Sequence, residues 1–341
     1  MPRKFENQIR ATIDANIYAD ETAIVETLIA AAALPAAERH AISADGAELV
    51  RAIRGASEPG MMEVFLAEYG LSTEEGIALM CLAEALLRVP DAETIDALIE
   101  DKIAPSDWGK HLGHSSSSLV NASTWALMLT GRVLDERHQP GPAKALRGAI
   151  KRLGEPVIRT AVGRAMREMG RQFVLGENIG AAMKRAEGMQ KLGFTYSYDM
   201  LGEAARTERD ARQYHLAYSR AISAIAEGCK SDSVAENPGI SVKLSALHPR
   251  YEEAQRSRVM DELVPRVRAL AQLAKAAGMG FNIDAEEADR LSLSLDVIEE
   301  VLADPGLRGW EGFGVVVQAY GQRAGHVLDW LYNTAERLDR K

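Results

Sequence analysis

The chain has 341 residues, room for two or three domains at roughly 100–200 residues each, and its 47% hydrophobic and 26% charged content is that of a folded globular protein. With 40 Lys and Arg against 49 Asp and Glu, the formal net charge is −9, and the basic residues are scattered in pairs such as Arg3-Lys4, Lys151-Arg152 and Arg340-Lys341, so nothing gathers the patch that nucleic-acid binding requires. Cys81 and Cys229 stand far apart with no CxxC pair, no secretory apolar segment opens the chain, and no run of about 18 apolar residues could cross a membrane, which together read as a cytoplasmic protein without a disulfide framework.

The first half reads as successive helices. Phe5, Ile9, Ile13 and Ile17 recur every four residues, the period of one buried helical face. A second helical run covers 20–34 and stops at Pro35. Ser72-Thr73-Glu74-Glu75 has capping-box form ahead of an apolar helix over 77–89, and Ile95, Leu98 and Ile99 mark another over 91–103. Residues 104–118, APSDWGKHLGHSSSS, interrupt the pattern. His111 and His114 there have HxxH spacing, which without further ligands reads as part of a connecting segment, and Trp108 and Trp125 read as packing anchors. Helix resumes over 121–134 and again over 155–169.

Beyond Gly170 short β-prone runs alternate with longer helical ones. The runs are RQFVLG, GFTYSYDML, GISVKLSAL, GFNIDAE and GFGVVVQAY; the helical stretches between and after them cover 178–192, 209–228, 255–277, 288–302 and 322–338. Alternation of this kind predicts parallel strands with helices outside. No Gly-rich phosphate fingerprint follows the first run, which favours a (β/α) barrel over a dinucleotide-binding sheet. The fold class is therefore α/β: a helical amino-terminal arm and domain over 1–105, a helical linker region over 106–170, and over 171–341 about five strands of an incomplete (β/α)8-type barrel.

Barrel chemistry collects at the carboxyl ends of strands. The second run ends on Asp199 and Glu203, the third carries Lys243 between Val242 and Leu244, the fourth ends on Asp284, and the fifth on Gln318 and Tyr320. Alternation along a strand puts Lys243 on the face with Ser241 and Ser245, and a buried ammonium there needs a carboxylate, for which Asp284 stands at the corresponding height. The pair reads either as a structural ion pair or as a catalytic one. Asp284, Glu286 and Glu287 could also form a carboxylate metal site, but no histidine accompanies them, and the dipole of the next helix accounts for Glu286 and Glu287 without a metal. His248-Pro249, after the third run, fits a turn and a functional loop equally.

SDWGKHLGHSSSSLVNASTWALMLTGRVL, GFTYSYDMLGEAA, SVKLSALHPRY, FNIDAEEADRLSLSLDV and GVVVQAYGQRA resemble, in order, segments of the bacterial proline utilization A flavoenzymes. The resemblance runs over most of the chain from about residue 60. It implies FAD-dependent oxidation of L-proline to pyrroline-5-carboxylate, electrons passed to a membrane quinone, and a cytoplasmic enzyme peripheral at the inner membrane. Lys243 and Asp284 would flank substrate and flavin, Glu203 would be the acidic half of an ion-pair gate, and Gln318 would hydrogen-bond the flavin. Metal is not implied. By the same comparison the rest of the barrel, with the arginines that grip proline's carboxylate, and an aldehyde dehydrogenase domain belong to the same polypeptide beyond residue 341, so the 341 residues alone are expected to bind FAD poorly and to be inactive. Two other readings stay open: a non-catalytic fragment or half of a split enzyme, and a barrel scaffold that only binds a partner. The scaffold reading requires Lys243, Asp284 and Gln318 to point away from a common cavity.

Overall fold

A computed structural model describes residues 2–56, 174–202 and 204–340, with positions 91, 94 and 97. The chain divides into two compact units, Pro35–Leu175 and a second one joining Met1–Leu34 to Gly176–Lys341. In the first unit the described element is α3 (Ala36–Ala56). The expected helices between 57 and 173 lie outside the described residues.

The second unit opens with α1 (Pro2–Ala15) and α2 (Glu21–Ala32). The Asp20 side chain caps α2 by accepting from the Ala23 amide at 2.8 Å. The four-residue apolar period outruns α1: Ile13 is fully buried, but Ile17 lies past the last turn and is 38% exposed. After residue 176 the order is α4 (Ile179–Gln190), β1 (Ser197–Asp199), α5 (Glu208–Ala226), β2 (Gly239–Val242), α6 (Arg256–Ala276), β3 (Phe281–Ile283), α7 (Leu291–Leu302), β4 (Phe313–Val315) and α8 (Ala324–Leu338). Asn178 caps α4, and Thr207 with Asp210 forms a reciprocal capping box on α5.

The four strands are all parallel and pair in chain order, β1-β2-β3-β4. A doubly wound sheet reverses its strand order at a switch point; a strictly sequential order with a helix after each strand is that of a (β/α) barrel. Among the described residues there are four strands; of the earliest β-prone run, 171–176, Val174, Leu175 and Gly176 are not strand, and 171–173 lie outside the described residues. The strands are also shorter than the β-prone runs. Each stops where the chain leaves the ladder at its carboxyl end, so that Leu244–Ala246 becomes a 3-10 turn although its residues suit a strand.

One face of the sheet carries Tyr198, Ile240, Val242, Phe281 and Ile283, all buried, with α5 packed against β2, α6 against α5 and α7 against α6. Tyr218, Leu263, Val267, Leu270, Leu293 and Val297, each 1% exposed or less, complete this core. α1 closes over α7 and α8: Arg10 bonds Asp296 and the Ser292 carbonyl, each at 2.7 Å, and lies 5.4 Å over the ring of the buried Trp330.

β2 and β3 approach closely at their amino ends. A Cβ on Gly239 would stand 2.8 Å from the Gly280 carbonyl oxygen, a backbone atom with little freedom to move. Gly239→Ala is therefore expected to cost about 1–3 kcal/mol. Gly188→Ala, in α4 with no atom within 4 Å of the added carbon, should instead stabilise by roughly 0.5–1 kcal/mol. Urea midpoints of the two variants check the opposite signs.

Candidate active site

The second face of the sheet is polar. Alternation along the short strands brings Ser197 and Asp199, Ser241 and Lys243, and Asn282 and Asp284 to it, in two layers. In the lower layer the Ser197 and Ser241 hydroxyls are 3.0 Å apart, and the Asn282 amide donates to Ser197 Oγ at 3.2 Å.

In the upper layer, at the carboxyl ends, Lys243 Nζ donates to Asp199 Oδ1 and Oδ2 at 2.9 and 2.8 Å and stands 2.8 Å from Asp284 Oδ2. The side chains are 15% exposed for Lys243, 26% for Asp284 and 42% for Asp199, so the cation is the driest member. Burial acts to depress the Lys243 pKa, but hydrogen bonds to Asp199 and Asp284 outweigh it and hold the ammonium well above an ordinary lysine. The backbone holds this geometry. Asp284 N donates to the Val242 carbonyl at 2.9 Å, the step beyond β3, and Lys243 N donates to the hydroxyl of Tyr218 at 3.3 Å. That phenol is wholly buried on α5, which pushes its pKa to about 12.

The structure thus joins Lys243 to Asp284 and adds Asp199, which sequence reasoning placed at a strand end without giving it a role. Gln318 sits one strand further along and is exposed. Its amide donates to the Ala285 carbonyl at 3.4 Å, and its oxygen accepts from the Tyr320 hydroxyl at 2.7 Å. Asp284, Ala285, Gln318 and Tyr320 share the wall of a cleft of about 730 Å³, counted to its open mouth. Glu203 lies outside the described residues, as do Cys81, Trp108, His111, His114 and Trp125.

Glu286 and His248 gain specific partners. Glu286, read from the sequence as an acid favoured by the dipole of the next helix, is half-buried, and both of its oxygens accept from Ser245, one from the amide at 3.0 Å and one from the hydroxyl. Glu287 is exposed and pairs with Arg290 at 3.3 Å. His248 is buried to 1% exposure. Its Nδ1 accepts from the Arg250 amide at 3.1 Å and its Nε2 lies 3.3 Å from Glu262, while burial depresses its pKa, the setting of a neutral packing histidine. Among the described residues no group of three His, Cys, Asp or Glu could hold a metal ion, and no helix is long and apolar enough to cross a membrane.

A cation fixed between two carboxylates at the carboxyl ends of parallel strands can hold a zwitterion, orient it, and answer charge that develops beside it. Three family models match the chain: the proline utilization A proline dehydrogenase N-terminal domain over residues 7–54, the DNA-binding domain of proline dehydrogenase over 61–173, and proline dehydrogenase over 182–341. The bifunctional protein PutA of Salmonella typhimurium is 48% identical over 336 residues, 97% of this chain and 26% of that protein. Proline dehydrogenase 1 of Bacillus subtilis is 28% identical over 154 residues, 45% of each chain. A crystal structure of a Bradyrhizobium japonicum proline utilization A variant superposes with a TM-score of 0.63 at 47% identity, covering 95% of this chain and 32% of that one. The chain therefore spans about a quarter of the length of these bifunctional relatives.

Proposed function

This chain belongs to the proline utilization A family, with a proline dehydrogenase domain of parallel α/β architecture, and we propose that it contributes the strand-end half of a site for flavin-dependent oxidation of L-proline to pyrroline-5-carboxylate. The observation that carries the reading is Lys243 held between Asp199 and Asp284. The scaffold alternative needs the strand-end residues to diverge, and a 2.8 Å contact between Lys243 and Asp284 does not fit that requirement.

The donor set suits a flavin. Lys243 offers a fixed positive charge, and the Gln318 amide is exposed and bound only at 3.4 Å, so it is free to turn to a ring edge. When bound, FAD would accept the two electrons that leave the ring carbon of proline as its C=N bond forms. Lys243 and Gln318 are the residues here that would hold it. Lys243 remains protonated and does not act as a base; it balances negative charge at the substrate carboxylate or the ring. Asp284 fixes the Lys243 ammonium through Oδ2, while its Oδ1 accepts from the Ala285 amide at 3.1 Å, so the carboxylate is itself held in place. Glu203 keeps its role as the acidic half of a gate as part of this proposal. Bringing reactants to a fixed orientation in such a site supplies several kcal/mol of the barrier reduction.

Transfer of electrons to a membrane quinone, with peripheral attachment of a cytoplasmic protein, completes the reading. The second dehydrogenase activity of the bifunctional relatives is assigned to the part of those proteins outside the matched quarter. The spans 7–54, 61–173 and 182–341 support an order of amino-terminal arm, helical segment and barrel, although the boundary read from the sequence at 105 falls inside the second span. That span holds 13 Lys and Arg against 15 Asp and Glu, a balance that does not favour phosphate binding, so nucleic acid is left out of the proposal.

The test is anaerobic addition of L-proline to the purified full-length polypeptide that carries these residues. Bleaching of the bound-flavin absorbance, with pyrroline-5-carboxylate trapped as product, is the expected result. A flavin that keeps its colour with proline, or a protein that takes up no flavin, overturns the reading.

A further inference from the structure

Past the last rungs of β2 and β3, side chains continue what the backbone ladder began. Lys243 meets Asp284, and two residues further along both chains Ser245 meets Glu286. Ser245 is 3% exposed and saturated. Its amide donates to Glu286 Oε2 at 3.0 Å, its hydroxyl bonds Glu286 Oε1, its Oγ accepts from the Ala204 amide at 3.0 Å, and its carbonyl accepts from the Ala205 amide at 2.9 Å. A hydroxyl has one proton to give. Because Ser245 Oγ takes the Ala204 N–H, its own proton is directed to Glu286, and the carboxylate form of Glu286 satisfies both Ser245 donors at once.

The backbone held in this way is not relaxed. Ala204 has φ +55°, the left-handed region that a residue with a side chain adopts only under constraint. Gly202 has φ +125°, and a Cβ there would lie 2.7 Å from the Tyr214 ring. Gly202 and Ala204 lie three and five positions past the end of β1, the strand whose last residue, Asp199, grips Lys243. A carboxylate withdrawn from water is costly unless its oxygens are hydrogen-bonded, and Ser245 supplies a donor to each oxygen of Glu286. Burial raises the Glu286 pKa, as it does for a carboxyl kept from water.

We propose that Glu286, acting through Ser245, is a positioning residue: it locks the backbone at Ala204 and Ala205 and holds the ends of β1, β2 and β3 so that Lys243 meets Asp199 and Asp284 together. The proposal deepens the functional reading above and rests on it where it concerns turnover. Glu286 touches none of the three charged side chains; its influence passes through Ser245 and the strand ends.

Glu286→Gln and Ser245→Ala, made singly and together in the full-length polypeptide, test this. Glutamine keeps the shape but turns an amide donor toward one of the two Ser245 donors. Amide exchange at Ala204 and Ala205 is expected to quicken about tenfold in each single variant, with flavin content retained and kcat/KM for L-proline lowered about tenfold. The double variant should be no worse than either single one, as for residues acting as one unit. Unchanged exchange at those amides in Glu286→Gln overturns the relay. Faster exchange with unaltered kcat and KM overturns its link to the site. If the parent protein does not oxidise proline, the functional reading is what has failed, and the exchange measurement decides the relay by itself.

Discussion

Replacing Lys243 with alanine in the full-length polypeptide is expected to lower kcat/KM for L-proline by ~10²-fold or more while flavin is retained, the effect of removing a preorganised charge from a reacting site. The substitution does more than delete a cation. It leaves Asp199 and Asp284, both within 3 Å of the present ammonium, facing one another without a counter-charge. Lys243→Arg should recover little, because a planar guanidinium cannot reproduce a compact ammonium set between two carboxylates. The pH dependence has a definite sign. A lysine whose folded pKa lies above its unfolded one contributes stability that is fully present below the unfolded value and is lost only as pH rises through the folded value. Lys243 should therefore impose no inflection on kcat/KM across the neutral and mildly alkaline range, and an acid limb must come from other groups. Wild-type rates in a flavin-loaded Lys243→Ala protein would reduce the cluster to a structural ion pair.

What was legible in the sequence follows from the range of the interactions involved. Helices were readable because their signals are local: α4, α6 and α8 begin and end within three residues of the stretches that apolar period and glycine mark out. Strand lengths were not, since β-prone residues such as Val316 and Val317 continue past the point where the ladder stops. Lys243 and Asp284 could be paired from strand-end position alone, as alternation gives the face and chain order gives the neighbour. Asp199 carried the same strand-end signal, on the strand before Lys243 instead of the one after, and looking to both neighbours would have found it. Glu286 carried no such signal. Its partner Ser245 is 41 residues away, and an acid opening a helical stretch has a sufficient local explanation until the contact is seen. Arg10 is similar: the helical period of α1 predicts a buried face, but nothing local points to Asp296, 286 residues away.

The two carboxylates that share Lys243 are not expected to matter equally. Asp284→Ala should lower kcat/KM by ~10²-fold, close to the loss of the lysine itself. Asp199→Ala should cost about fivefold or less, the kinetic equivalent of the ~1 kcal/mol that an exposed ion pair contributes. The asymmetry comes from setting. Asp284 is the less exposed of the two, its amide continues the β2–β3 ladder, and it lines the cleft that Gln318 and Tyr320 also border. Asp199 is 42% exposed and spends both of its oxygens on Lys243, which leaves the carboxylate itself little for another partner. Asp284 thus orients the ammonium within the site, whereas Asp199 anchors it from the side. Since Lys243 and Asp284 act as one unit, the Lys243→Ala/Asp284→Ala protein should be hardly slower than either single variant. Steady-state kinetics of the three single variants and this double one decide the matter: losses that multiply, or a larger loss from Asp199 than from Asp284, would reverse the assignment of the two carboxylates.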